Sequence, residues 1–291
     1  MYVYKKKAML LYNKNAVIYG GGASLAGAVA RTMAREGANI FLAGRNTASL
    51  QKVKEEIIQS GGHAEAATLD ALDENAVRQH LQKVVSSAGT VDISFNLVGI
   101  HNVQNIPLIE MTLPEFVQTI TNTMTTQFLT CTAAGQIMVR QGSGVILSLT
   151  ATCGGIGYPL TGGFGPACAA VEGFSKNLAS ELGPHGVRVV NIRSAGSPDS
   201  RPFAQAMLSM PDMVKPILKR MEEDTMLKKL PLMEDIANTA LFLSSPLAAK
   251  ITGVTIDVTV GTVSQIKRPP TDIIPRQRAG IVLDSPDGQK G

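Results

Sequence analysis

A chain of 291 residues with 44% hydrophobic and 17% charged side chains has the composition of an ordinary globular protein, not a disordered one, and can bury roughly 75% of its unfolded surface. The absence of tryptophan, the 4% aromatic content and a net charge of only +4, drawn partly from Lys5, Lys6, Lys7, Lys267, Arg268, Arg276 and Arg278, argue against a base-stacking nucleic-acid surface. Cys131, Cys153 and Cys168 are odd in number and lack C-x-x-C spacing, His63, His80, His101 and His185 are scattered, and no apolar run reaches spanning length, which speaks against a disulfide framework, a metal centre and a membrane span, and predicts a reduced, cytoplasmic setting.

Residues 1–14 read as an N-terminal extension. Residues 16–19 form the first predicted strand, 25–36 a helix with small residues along one face, and 39–43 the next strand. Thr47 is placed as the cap of a helix in which Leu50, Val53 and Ile57 recur at helical spacing, and Gly61-Gly62 ends it. A strand at 64–69, a helix capped by Asp73 and running to about Ala88, and a strand at 91–97 continue the alternation. Thr112 caps a long helix to about Arg140, with Pro114 tolerated in its first turn. A strand at 144–149, a helix at 166–182, a strand at 187–192, a helix at 236–244 and a strand at 254–258 complete the pattern. Strand–helix alternation of this kind requires parallel strands joined by crossover helices. The expected fold is therefore α/β, a Rossmann-like doubly wound parallel sheet in a single domain over 15–264. Residues 265–291, punctuated by Pro269, Pro270, Pro275 and Pro286, form a Pro-rich basic C-terminal tail, either disordered or wrapped on a neighbour.

In VIYGGGASLAGAVA, Gly20, Gly21 and Gly22 stand between a strand and a helix. Glycines there let the backbone approach a pyrophosphate, while the helix N-terminus supplies N–H groups and partial positive charge. Gly20, Gly22, Ala23, Ser24 and Leu25 are the candidate contacts; a tight turn would use the same glycines. The second strand ends FLAGRN. Gly44 cannot bond a ribose hydroxyl, whereas Arg45 can make bidentate bonds to a phosphate, which favours NADP(H) over NAD(H). An exposed turn arginine is the plainer alternative.

These motifs resemble those of the short-chain dehydrogenase/reductase family. Its fingerprint is Thr-Gly, three residues, Gly, one residue, Gly; here Gly20 is kept, Tyr19 precedes it, and Ser24 and Ala26 fall where the later glycines stand. Asp70 in ATLDA, followed by Ala71, resembles the family's adenine-binding acid, and equally suits capping the loop. FNLVGI resembles the family's Asn-Asn-Ala-Gly turn, with Asn96 and Gly99 matching and Val98 between them. Position-by-position similarity continues to about Thr262.

GGFGPACAAVEG resembles the family's active-site helix, yet the tyrosine and lysine positions hold Phe164 and Cys168. The family's asparagine and serine positions fall on Thr123 and Ala151. In the family the tyrosine protonates a carbonyl oxygen as hydride arrives, and the lysine lowers that tyrosine's pKa; all four roles fail here at their expected positions. Thr150, Tyr158 and His101 are the candidate substitutes, each with an ordinary structural alternative: a strand end, a rim aromatic and a surface imidazole. Cys168 reads as a small buried filler. The region about 197–230 corresponds to the family's substrate lid. Its methionines, among them Met207, Met210, Met213, Met221 and Met226, suit an adaptable apolar pocket or plain helix packing.

The resemblance implies an NADP(H)-dependent oxidoreductase with a degenerate active site, acting on a small-molecule substrate such as an activated carbonyl, enone or quinone-like compound. The alternatives are a non-catalytic NADPH-binding sensor, or a scaffold or assembly subunit with no substrate. It further implies a homotetramer or homodimer through the helices at 112–140 and 166–182, with no nucleic-acid, membrane or metal partner.

Overall fold

In the computed structural model, which describes residues 9–262, the short apolar runs become the buried central strands of a sheet, and the more exposed segments HAEAAT and TIDV become its edge strands. The strands are β1 (Asn15–Tyr19), β2 (Asn39–Gly44), β3 (His63–Thr68), β4 (Ile93–Asn96), β5 (Gly144–Ala151), β6 (Val187–Ser194) and β7 (Thr255–Val258). All pair in parallel in the order β3-β2-β1-β4-β5-β6-β7. The helices are α1 (Ser24–Arg35), α2 (Thr47–Gln59), α3 (Glu74–Ala88), α4 (Leu113–Gln141), α5 (Phe164–Leu182), α6 (Arg201–Ser209), α7 (Pro211–Glu223) and α8 (Met233–Ser244). The expected doubly wound α/β sheet is present. The predicted tail at 265–291, and the basic residues at both chain ends, lie outside the described residues.

A strand places successive side chains on opposite faces, and both faces of this sheet are covered. Ala16 and Ile18 of β1 pack with Val29, Met33, Leu50 and Ile236, from α1, α2 and α8. Val17 and Tyr19 point the other way, into a core with Val77, Leu81, Cys131 and Leu178, from α3, α4 and α5. Among the described residues no helix is long and apolar enough to cross a membrane.

Among the described residues, local side-chain caps fix four of the eight helix starts, those of α2, α3, α4 and α8. Asp73 Oδ1 accepts from the Ala76 N–H at 3.0 Å, and the Thr112 N–H donates to Glu115 Oε2 at 2.9 Å. The cap of α2 is Asn46, not Thr47: its Oδ1 accepts from the Ser49 N–H at 2.9 Å, and its backbone is extended. Thr47 Oγ1 instead lies 2.8 Å from Thr68 Oγ1, tying α2 to the end of β3. Helix α5 starts at Phe164, two residues before the expected start, and α8 at Met233, three before. The lid region contains two helices, α6 and α7, with Pro211 in the first turn of the second, where a missing N–H interrupts no helical bond.

Tyr19 and His80 meet edge-on in the core with ring centroids 6.4 Å apart. Neither Tyr19 Oη nor His80 Nε2 has a hydrogen-bond partner among the described residues. Burial, helped by Lys83, pushes the His80 pKa from 6.5 down to about 4. The unfolded chain takes up this proton first, so the contribution is complete above about pH 6.5 and is lost as pH falls toward 4, with a full value of about 3 kcal/mol. Urea midpoints measured across that range are expected to fall less steeply for His80→Phe than for the natural chain.

Candidate functional site

In a sheet of this topology ligands bind outside the C-terminal strand ends, where the chain order reverses. Here the reversal lies between β1 and β4, with Tyr19 paired to Asn96 at the strand ends. A cleft opens there in two connected arms of about 480 Å³ and 990 Å³, which share Ala23, Val98, Gly99, Ile100 and Arg201.

The smaller arm collects most of the sequence-predicted cofactor residues: Gly20, Gly22, Ala23, Arg45, Asp70, Ala71, Val98 and Gly99 all line it. Ser24, Leu25 and Asn96 line the larger arm, next to it. Gly20 holds φ at +75°, and a Cβ there would collide with the Leu97 carbonyl oxygen; only glycine lets β1 turn this tightly against β4. No side chain caps the first turn of α1, so its N–H groups and the positive end of its dipole are available to an anion. A Cβ added at Gly99 would meet nothing within 4 Å, leaving the backbone open to a ligand. Arg45 is 63% exposed at the far rim, with Nη1 3.9 Å from Asp70 Oδ2. This donor set, strung from α1 to Arg45, fits an anionic dinucleotide.

Three of these residues also do structural work. Asn96 Nδ2 donates to Thr130 Oγ1 at 2.9 Å and its Oδ1 accepts from the Val98 N–H at 3.0 Å, so its amide holds the turn rather than reaching into the cleft. Asp70 Oδ1 accepts from the Leu72 N–H at 3.0 Å, which is the loop-capping alternative, while Oδ2 faces Arg45. Ser24 Oγ accepts from the Arg201 N–H at 3.2 Å, latching the start of α6 onto the glycine-rich turn.

The larger arm is lined by Leu149, Thr150, Ala151, Tyr158, Phe164 and Met221, among others. The candidate acids do not converge. Tyr158 and Thr150 line this arm, whereas His101 stands exposed in the smaller one. Thr150 is buried, and its hydroxyl is engaged: it donates to Glu172 Oε1 at 3.0 Å and accepts from Asn191 Nδ2 at 2.7 Å. Of the four family positions, Ala151 and Phe164 line the larger arm and Thr123 the smaller. Cys168 is fully buried, its sulfur 4.0 Å from that of Cys153.

Sequence reasoning missed the polar network below this arm. Arg193 Nε donates to Glu172 Oε1 at 2.9 Å, its second amino group bonds Glu172 Oε2, and Nη1 reaches Asp257 Oδ1 at 3.0 Å. Asn191 continues the chain to Ser148 and Ser175. The hydrogen bond and charge of Glu172, with Asp257, hold the Arg193 pKa above its ordinary value against burial. A glutamate one helical turn after Cys168, and an arginine inside the apolar run of β6, are the signals that would have found the pair. Arg201 was missed as well, although it lines both arms.

The family model described as enoyl-(acyl carrier protein) reductase matches residues 20–262. The chain is 31% identical over 252 residues to a 3-oxoacyl-(acyl-carrier-protein) reductase of Staphylococcus epidermidis, covering 86% of this chain and 98% of that one. It is 28% identical over 258 residues to the enzyme of the same name from Chlamydia trachomatis, covering 87% and 98%. Its fold matches a gluconate 5-dehydrogenase of Burkholderia cenocepacia, solved with NADP and tartrate, at a TM-score of 0.80 with 19% identity, covering 89% and 98%.

Glu172→Ala leaves Arg193 with Asp257 alone and the Thr150 hydroxyl proton without an acceptor, and is expected to lower unfolding stability in urea by about 1–3 kcal/mol.

Proposed function

The chain belongs to the short-chain dehydrogenase/reductase family, and from that premise we propose that it is an NADP(H)-dependent reductase of an electron-poor acceptor, a conjugated carbonyl or quinone-like compound. The observation that carries this reading is a continuous two-armed cleft whose four family catalytic positions hold Thr123, Ala151, Phe164 and Cys168. The binding geometry persists where the proton-donating unit does not.

Bound NADP(H) would supply a hydride. Gly20, Gly22 and the first turn of α1 would hold the pyrophosphate, and Arg45 the phosphorylated ribose. In a conjugated acceptor the electron pair displaced by hydride moves onto an oxygen and spreads through the substrate, so no side-chain acid is required during transfer. Water supplies the proton afterwards. Arg201 and Arg220, both lining the larger arm, are permanent cations placed to stabilise that developing charge without donating a proton. Leu149, Ile217 and Met221 give the same arm an apolar wall that seats an apolar acceptor. The engaged Thr150 hydroxyl supports the absence of a serine-like proton donor. Assembly as a homodimer or homotetramer would use α4 and α5, where Phe128, 54% exposed, packs on Phe174 with ring centroids 6.1 Å apart.

Titration with NADPH and NADH, read by nicotinamide fluorescence, is expected to show tighter binding of NADPH. Arg45→Asp should weaken NADPH by about tenfold to a hundredfold, the worth of one charge-assisted contact of about 1.5–3 kcal/mol, and leave NADH nearly unchanged. No binding of either nucleotide by folded protein would overturn the proposal in favour of a scaffold. Binding without turnover across enones and quinones would leave the sensor reading.

A further inference from the structure

Two thiols sit at the wall of the larger arm, and the proposed reduction uses neither. Cys153 follows β5 in a single helical turn at Thr152–Gly154, is partly exposed and lines the arm. Cys168 lies one turn into α5 and is fully buried. Their sulfurs are 4.0 Å apart. The close pass of the two backbones creates this proximity. A Cβ added to Gly154 would stand 2.9 Å from Cys168 Cβ, and one added to Gly165 would stand 3.7 Å from Cys153 Cβ. The third cysteine, Cys131, is set apart in the core beneath α4, its sulfur directed at Gln127 Oε1 at 3.7 Å.

We propose that Cys153 and Cys168 are a peroxide-responsive dithiol, closing an intramolecular disulfide that staples the wall of the substrate arm to α5. An S–S bond is about 2.05 Å long, so the sulfurs approach each other by about 2 Å, a movement within reach of side-chain rotation in a segment rich in glycine. The closed loop runs from 153 to 168 and contains Tyr158 and six glycines, Gly154, Gly155, Gly157, Gly162, Gly163 and Gly165. Such a segment has much conformational freedom to lose on cross-linking.

The chemistry divides by access. Cys153, as thiolate, attacks one oxygen of a hydroperoxide; the O–O bond breaks, Cys153 becomes a sulfenic acid, and the departing oxygen leaves as water or an alcohol after taking a proton. Cys168, as thiolate, then attacks the Cys153 sulfur; the S–O bond breaks and hydroxide leaves as water. Two thiols have lost two electrons and two protons, and the peroxide has gained them. The environment suits the second step, in which Cys168 is the readier thiolate, whereas access to the arm and not acidity assigns the first step to Cys153. The Cys153 S–H directed at Cys168 Sγ holds the Cys168 thiol below its ordinary pKa, and the Arg193 charge adds to this against burial and Glu172. The same hydrogen bond, with burial, raises the pKa of Cys153. Cys131 is pushed up to about 12 by burial and is the inert internal control.

The test is to treat purified full-length protein with excess hydrogen peroxide, alkylate remaining thiols in denaturant, digest with trypsin and weigh the peptides. Residues 141–176 contain no internal Lys or Arg and hold both cysteines in one peptide, whereas Cys131 falls in 84–140. The expected result is that peptide 141–176 loses the mass of two hydrogen atoms and resists alkylation until reduced, while Cys131 is alkylated in full. Cys153→Ser should abolish the mass loss and leave Cys168 alkylatable; Cys168→Ser should leave a trappable sulfenic acid on Cys153. Full alkylation of both sites after peroxide, separate addition of oxygen to each sulfur, or cross-linking between chains would each overturn the proposal. The peptide mass of the natural chain decides the matter even where a variant fails to fold, and the readout does not depend on any nucleotide or acceptor.

Discussion

The parallel pairing of β1 with β4 decides where this protein can bind anything. From β3 the chain returns to the opposite side of β1, so the connections leave the sheet in opposite directions and their C-terminal ends part. The cleft at that parting is kept narrow by one contact, the pass of Gly20 against the Leu97 carbonyl. That pass aims α1 at the crevice, and Ser24, its first residue, takes a hydrogen bond from Arg201 of the lid. The nucleotide arm, the substrate arm and the cover between them thus descend from one strand adjacency.

Beneath the larger arm, one helical turn past Cys168, the protein has placed a largely buried ion pair between Glu172 and Arg193. Such a pair is costly to desolvate and tolerable only when its remaining hydrogen-bonding capacity is filled. Glu172 is filled by Arg193 and Thr150, and Arg193 also by Asp257. The consequence reaches function. With its proton committed to Glu172, Thr150 contributes shape to the arm rather than acidity, and a charged network lies below a surface of Ala151, Phe164 and Leu149. On the proposed function, such an arm suits a substrate that manages its own charge.

What was legible in the sequence was what local physics determines. Alternation in β1 sorts Ile18 and Val17 to opposite cores, and Asp73 and Thr112 start α3 and α4 through partners three residues away. The glycines after β1 located the cleft because only a short list of residues tolerates that turn. Asn46 and Thr47 are adjacent and both able to cap α2; Thr68, distant in sequence, decides by engaging Thr47. Glu172 and Arg193 are 21 residues apart, and Cys153 and Cys168 are 15 apart. A single charge in a strand reads as solvent-facing, and a single cysteine as filler, until the fold sets their partners beside them. Arg201 was obscured for a related reason: its importance lies in where the lid returns to the cleft, not in its neighbours along the chain.

Hydride transfer without a side-chain acid, as proposed here, is tested most directly by following nicotinamide absorbance during single turnovers with a quinone, a conjugated enone and an unactivated ketone of similar size, across pH. NADPH is expected to be consumed with the first two, at rates that do not track the titration of any side chain, and not with the ketone. Ketone reduction at a comparable rate, with a pH profile marking one ionising group, would contradict it.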